Sequence, residues 1–193
     1  MVDAREYHER TNHSPRSVRE DAFRLDWSDK PRPYKLYEDL PRITPSGAPD
    51  PPDEPVLSAV AQSDPVPTCG PSDPATDPGV YTLCHYATGV TKELEREGEI
   101  MEALEQDRET VRFRAASCTG KLYHVDLYAV TGQCGEFDPG VYHFDPHAGG
   151  FDVLRRGDYR GVLAEAAGGH EGVATAPVTF VATSEWWRNA WKY

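Results

Sequence analysis

The sequence predicts an α+β domain, and three observations carry that expectation. Residues 122–130 alternate with period two: Tyr123, Val125, Leu127 and Ala129 fall on one face, and His124, Asp126 and Tyr128 on the other. Residues 177–183 form a continuous apolar run of strand length, the pattern of a buried strand. Between and around these strands, capping residues and 3.6-residue spacing predict helices beginning near Asp77, Asp158 and Ser184. At 193 residues the chain can build one sizeable core and hardly two.

Taken in order, residues 1–43 mix charges with the aromatics Tyr7, Phe23, Trp27, Tyr34 and Tyr37, which predicts an arm laying its rings on the main body. Residues 44–78 hold 10 of the 17 prolines, four Asp-Pro steps and no Lys or Arg. Proline removes donors and biases its predecessor towards extended backbone, so this stretch reads as a polar linker without secondary structure. Asp77-Pro78 then reads as an N-cap with proline at the first helical position. Val80, Leu83, Cys84 and Ala87 mark the apolar stripe, and Gly89 the stop. Cys84 is expected there as a buried small hydrophobe. Residues 92–109, rich in glutamate, predict either an exposed helix or a hairpin excursion whose acids are solvated.

Beyond the alternating strand, residues 140–154 read as a hairpin, with Asp145, Pro146, Gly149 and Gly150 building its turn. His143 is then a strand-face residue and His147 a turn residue. Asp158 is expected to cap a helix through Ala167, with Val162, Leu163 and Ala166 inward. Ser184 is expected to cap a last helix whose Trp186, Trp187 and Trp191 belong to a core or a dimer interface.

Composition excludes several function classes. Net charge is −12, and residues 44–109 contribute fourteen acids against three bases. Nucleic-acid binding needs a basic footprint, so no nucleic-acid partner is expected. No apolar run reaches the roughly 20 residues that span a bilayer, and the charged N-terminus lacks the apolar segment of a secretory signal. The expectation is a cytoplasmic protein with no membrane partner. Cys69, Cys84, Cys118 and Cys134 form no C-x-x-C pair and no metal-ligand spacing, which favours reduced thiols while leaving disulfides open. His8 and His13 are too loosely spaced for a metal, so no metal site is expected.

The chemistry concentrates in residues 111–130, VRFRAASCTGKLYHVDLYAV. Arg112, Arg114, Ser117, Cys118, Thr119 and Gly120 form a cationic, hydroxyl- and thiol-bearing turn that delivers the alternating strand. Arginine forks match phosphate oxygens, hydroxyls add neutral donors, and glycine lets backbone approach closely, so these six are candidate ligands of an anionic cofactor. The stretch resembles the arginine, Ala-Pro-Ser-Ala-Gly, Leu-Tyr-Pro run of SagB-type dehydrogenases, a branch of the FMN-dependent nitroreductase family. Further similar segments follow in the same order: TLCHYATGVT at 82–91, GVYHFDP at 140–146, RRGDYRGVLAEAA at 155–167, APVTFVATS at 176–184 and WWRNAWKY at 186–193.

The resemblance implies a nitroreductase-like mixed β-sheet flanked by helices, FMN as cofactor bound at a homodimer interface, and hydride transfer through flavin N5 to or from a small-molecule or modified-peptide substrate. With the arm (1–43) and the linker (44–78) set by composition, it makes residues 79–193 a partial flavin-binding domain. Arg114 matches the family arginine, while Arg112 is an additional phosphate ligand without a family match. Lys192 and Tyr193 match a Lys-Tyr pair implicated in catalysis in azoline dehydrogenases of this branch; against this stands the reading of Lys192 as a surface lysine at a helix end. The family's Pro-Ser is replaced by Ser117-Cys118, the upstream basic segment has no counterpart, and the chain ends where the family's second half begins. A truncated fold is therefore expected. The alternative function is a non-catalytic half, or a degenerate remnant, that needs a partner chain carrying the complementing C-terminal half.

If residues 44–78 are a linker, deleting residues 45–74 leaves the thermal transition nearly unchanged, because little apolar area is lost and loop closure changes little. A large fall in melting temperature by scanning calorimetry would show instead that the tract packs on the body.

Overall fold

Alternation along residues 122–130 becomes a strand, Val125–Thr131 (β4), that is paired along both edges. The computed structural model describes residues 3–20, 24–45, 49, 55–61, 77–96, 109–135 and 137–193. In it β4 lies between β5 (Gly140–Asp145) and β7 (Val178–Ser184). β6 (Gly150–Arg156) pairs with β5, and β1 (Arg42–Ile43), the end of the arm, closes the far edge, giving the order β1-β6-β5-β4-β7. The expected mixed sheet is corrected here: every pairing among the described residues is antiparallel. Short connections explain this for β4, β5 and β6, since parallel neighbours would need long crossovers.

The β5–β6 hairpin is as the sequence predicts, and its turn chemistry is explicit. Asp145 Oδ1 accepts from the backbone N–H of His147 (2.8 Å) and Ala148 (3.1 Å). The excursion at 92–109 resolves as a hairpin: β2 (Val90–Arg96) pairs with β3 (Glu109–Arg114) in a separate two-stranded sheet, and residues 97–108 lie outside the described ones.

One face of the main sheet is apolar. The helix Asp77–Thr88 lays Val80, Tyr81 and Cys84 on Ala129, Tyr142, Phe144, Phe151 and Val153, with Cys134 and Phe137 filling from the β4–β5 loop. Burying each such aromatic ring contributes about 1.5–3 kcal/mol. Burial pushes the Cys84 thiol up to about 12, so it behaves as the small hydrophobe expected. Leu83 and Ala87, expected inward, are exposed; the buried stripe runs Val80, Cys84, Thr88 with Tyr81 beside it. Gly89 ends the helix, its N–H donating to His85 O at 2.7 Å, and a β-carbon there would meet the same oxygen at 2.6 Å.

The opposite face carries a polar row in strand register. Tyr128 stands opposite His143, His143 opposite Asp152, and Asp152 opposite Arg42. Arg42 donates to Asp152 (2.7 and 2.9 Å) and Asp145 (3.0 Å), and His143 donates from Nδ1 to Asp152 (3.0 Å). His143 Nε2 is buried without a hydrogen-bond partner among the described residues. The arm covers this row: the Tyr37 ring packs edge-on against His143 at 5.1 Å, and burial pushes its phenol up to about 12.

The arm therefore does what its aromatics predict from Trp27 onward. Trp27 packs on Trp191 (5.5 Å), Tyr34 on His147 (4.4 Å), and β1 joins the sheet. Ahead of it the helices Ala4–Thr11 and Pro15–Glu20 are exposed, Tyr7 included, and Phe23 lies outside the described residues. Within the expected linker a short helix, Val56–Ala61, is present, with Leu57 and Val60 exposed. Residues 46–48, 50–54 and 62–76 lie outside the described ones.

The C-terminal segments need three corrections. The helix after β6 spans Arg160–Ala166; Asp158 accepts the Arg160 N–H (3.0 Å) from just outside it, Val162 and Ala166 are exposed, and Ala164 is the buried residue. A second helix, Glu171–Thr175, follows. β7 is an edge strand among the described residues, half-buried at 178–181 and exposed at 182–184, because β4 alone of them flanks it. Ser184 ends β7 with its hydroxyl 3.0 Å from His124 Nδ1, and the last helix, Trp186–Ala190, starts after Glu185 without a side-chain cap. Trp191 is core, whereas Trp186 and Trp187 are exposed. No helix among the described residues is long and apolar enough to cross a membrane.

Candidate functional site

β3 delivers Arg114 into the interior, where it is 8 % exposed. Its Nε donates to Thr88 O at 2.6 Å, Nη1 to Pro33 O at 3.5 Å and Nη2 to Val125 O at 3.4 Å. Its own N–H donates to the Tyr123 hydroxyl at 3.0 Å, and its guanidinium lies over the Tyr123 ring at 5.2 Å. Burial lowers the Arg114 pKa; Asp126 opposes that shift and Arg188 reinforces it. The guanidinium thus ties the helix end, the arm and β4 together from inside.

Tyr123 is held at two further atoms. Arg188 Nη1 donates to its carbonyl and to Asp126 Oδ1, both at 2.9 Å, and all three residues are buried. The Tyr123 N–H donates to Cys118 Sγ at 3.1 Å. These contacts fix left-handed backbone that suits Gly120 (φ 65°) but strains Lys121 (56°) and Tyr123 (44°). Non-glycine residues in this region persist only where surrounding contacts over-determine them, and they concentrate at functional sites.

The six cofactor candidates separate accordingly. Ser117, Thr119 and Gly120 are exposed on the turn, Cys118 is half-buried with its sulfur accepting from Tyr123, and Arg114 lies beneath. Arg112 is half-buried on β3, where Nε donates to Glu93 at 2.6 Å and Nη1 makes a short contact with His147 Nε2. Burial lowers the His147 pKa, and the Arg112 charge lowers it further. Two clefts flank the turn. One, about 180 Å³, is bounded by Arg114, Ser117, Cys118 and Tyr123; the other, about 170 Å³, by Arg112, Gly120, Lys121 and His147.

Lys192 and Tyr193 come to this turn as well. A β-carbon on Gly120 would lie 3.1 Å from the Tyr193 hydroxyl oxygen and 3.2 Å from Lys192 Nζ. The last helix positions them, anchored by Arg188 and by Trp191, whose Nε1 donates to Asp26 O at 2.8 Å. Tyr123, Arg188 and Lys121 are the supporting residues that sequence reasoning missed. Among the described residues no group of three or more His, Cys, Asp or Glu is placed to hold a metal ion.

No protein-family model and no curated protein matches the sequence. Among solved structures, the chain is similar to a protein of Anabaena variabilis provisionally named a nitroreductase, with a TM-score of 0.67 and 24% identity over 98% of this chain. The fold is nitroreductase-like. The chain spans 33% of that protein's length.

Gly120 is the residue on which this geometry turns. Gly120→Ala places a methyl in left-handed backbone against Lys192 and Tyr193, and is expected to lower unfolding free energy by about 1–3 kcal/mol. Urea denaturation followed by tryptophan fluorescence measures it, and a stability equal to the parent's would show that the turn relaxes freely.

Proposed function

We propose that the chain supplies one side of the active site of an FMN-dependent oxidoreductase of the nitroreductase family, in its SagB-type dehydrogenase branch. The observation that carries this reading is the meeting of two sequence-distant segments, the 117–120 turn and the Lys192-Tyr193 pair, across Gly120. The nitroreductase-like fold supports it.

The donor chemistry suits a flavin mononucleotide. Arg112 offers a guanidinium, Ser117 and Thr119 offer hydroxyls, Cys118 a thiol, and Gly120 a close backbone approach, with Arg114 holding the turn from beneath. When bound, FMN supplies hydride transfer through its N5. Beside the turn, the Lys192 amine and Tyr193 hydroxyl are the groups able to hold or accept a proton of a small-molecule or modified-peptide substrate.

The space is another matter. Pockets that enclose a ligand of this size measure about 300–1,000 Å³, and the two clefts offer about 170 and 180 Å³. These residues would therefore cover one side of the ligand, and a second surface completes the site: a homodimer mate or a complementing segment equivalent to the rest of the fold. Trp186 and Trp187, next to the Lys-Tyr pair in sequence and 74% and 44% exposed, provide apolar area for that association.

The purified chain is expected to be colourless and without nicotinamide-dependent reduction of nitroaromatics or quinones. Coexpression with a polypeptide carrying the complementing half is expected to give a yellow, dimeric, active species, read by absorbance and size-exclusion chromatography. A yellow, active homodimer of this chain alone would overturn the one-sided site. A complemented species that remains colourless would overturn the flavin reading itself.

A further inference from the structure

The smaller cleft beside the turn is distinguished by its charge. The arm contributes Lys30 and Tyr34, β3 contributes Arg112, the turn Lys121 and the β5–β6 hairpin His147. Among the described residues no Asp or Glu lines it, in a chain whose net charge is −12. Three stretches remote in sequence, around residues 30–34, 112–121 and 147, thus converge basic side chains on one concavity of about 170 Å³. That volume is below the roughly 300–1,000 Å³ of pockets that enclose a whole drug-sized ligand, so the cleft is the size of a subsite.

The donors are oriented rather than merely present. Glu93 holds Arg112 Nε at 2.6 Å, and Nη1 meets His147 Nε2, which leaves Nη2 without a hydrogen bond to any described residue. The Glu93 pair lies at a half-exposed rim, where such pairs contribute little net energy and mainly set the plane of the fork. Because His147 Nε2 accepts from Arg112, its Nδ1 carries the proton and is a neutral donor. The ring is held by Tyr34 at 4.4 Å. Lys30 and Lys121 lie over the faces of Trp27 (5.9 Å) and Phe113 (5.2 Å), within the range of cation–π attraction.

We propose that this cleft binds a phosphomonoester dianion, with Arg112, Lys30 and Lys121 as its cationic ligands and His147 as a neutral donor. On the flavin reading, on which the ligand's identity rests, the dianion is the terminal phosphate of FMN. The Arg112 Nη2 and the two ammonium groups recognise such an oxyanion through charge-assisted hydrogen bonds.

Isothermal titration of the full chain with inorganic phosphate, FMN and riboflavin tests this. Inorganic phosphate is expected to bind, and FMN to displace it and bind at least about tenfold tighter than riboflavin, the size of one charge-assisted contact. The K30Q/K121Q double variant is expected to lose phosphate affinity at least tenfold and to erase the preference for FMN over riboflavin. Arg112→Gln, a single change at a half-exposed site, should weaken phosphate in the same direction. Absence of phosphate binding, or variants that bind phosphate like the parent, would overturn the proposal. FMN and riboflavin binding equally, with no binding of inorganic phosphate, would overturn it while leaving the flavin reading intact. Phosphate binding that the variants lose but FMN does not compete for would keep the phosphate site and remove the flavin.

Discussion

The rest of this structure depends on a buried arginine. Arg114 leaves the end of β3, enters the interior and donates to carbonyls of the helix end, the arm and β4. Taking a guanidinium out of water is costly, and the cost is offset only where its donors are satisfied and negative charge is near. Thr88 O, Val125 O and, more distantly, Asp126 meet those conditions. Once in place, Arg114 also fixes Tyr123 through its backbone N–H, and Tyr123 in turn holds a run of left-handed backbone that no local preference would choose. The strained turn, the close approach of Lys192 to Gly120 and the clefts on either side follow from that clasp.

A second constraint comes from the asymmetry of the sheet. One face is a cluster of aromatic and aliphatic side chains under the helix Asp77–Thr88, held mainly by burial. The other is a row of Arg42, Asp152, His143 and Tyr128 that would be exposed to solvent without residues 33–43 of the arm lying over it. The arm is therefore structural: it contributes an edge strand, an aromatic cover and the Pro33 carbonyl that Arg114 uses. It also brings Lys30 and Tyr34 to the cleft that the turn and hairpin share. Fold and candidate site are built from the same contacts.

Local features were legible in the sequence where local physics decides them. The alternation of β4, the stop at Gly89, the Asp145 hairpin turn and the buried Cys84 rest on periodicity, backbone sterics or size. Features set by non-local pairing were not. Residues 178–184 have the composition of a central strand and lie at an edge, because strand order is fixed by which element docks beside β4. Val162 is apolar and exposed for the same kind of reason: the docking of its helix, not its pattern, chose Ala164. Arg114 shows the limit most sharply. A lone arginine before a glycine-bearing turn reads as an anion ligand, and nothing in its neighbours along the chain announces that three distant carbonyls converge on it. The Gly120–Lys192 contact was reachable only through family resemblance, since no spacing rule joins the two.

The most direct measurement is the stability of Arg114→Ala in the absence of any ligand, by urea unfolding with amide exchange at Tyr123 as a local probe. If Arg114 is the internal clasp, the substitution leaves buried carbonyls unsatisfied and lowers unfolding free energy by about 3 kcal/mol or more, with loss of protection at the Tyr123 amide. A variant as stable and as protected as the parent, deficient only in ligand binding, would contradict the account and return Arg114 to the cofactor.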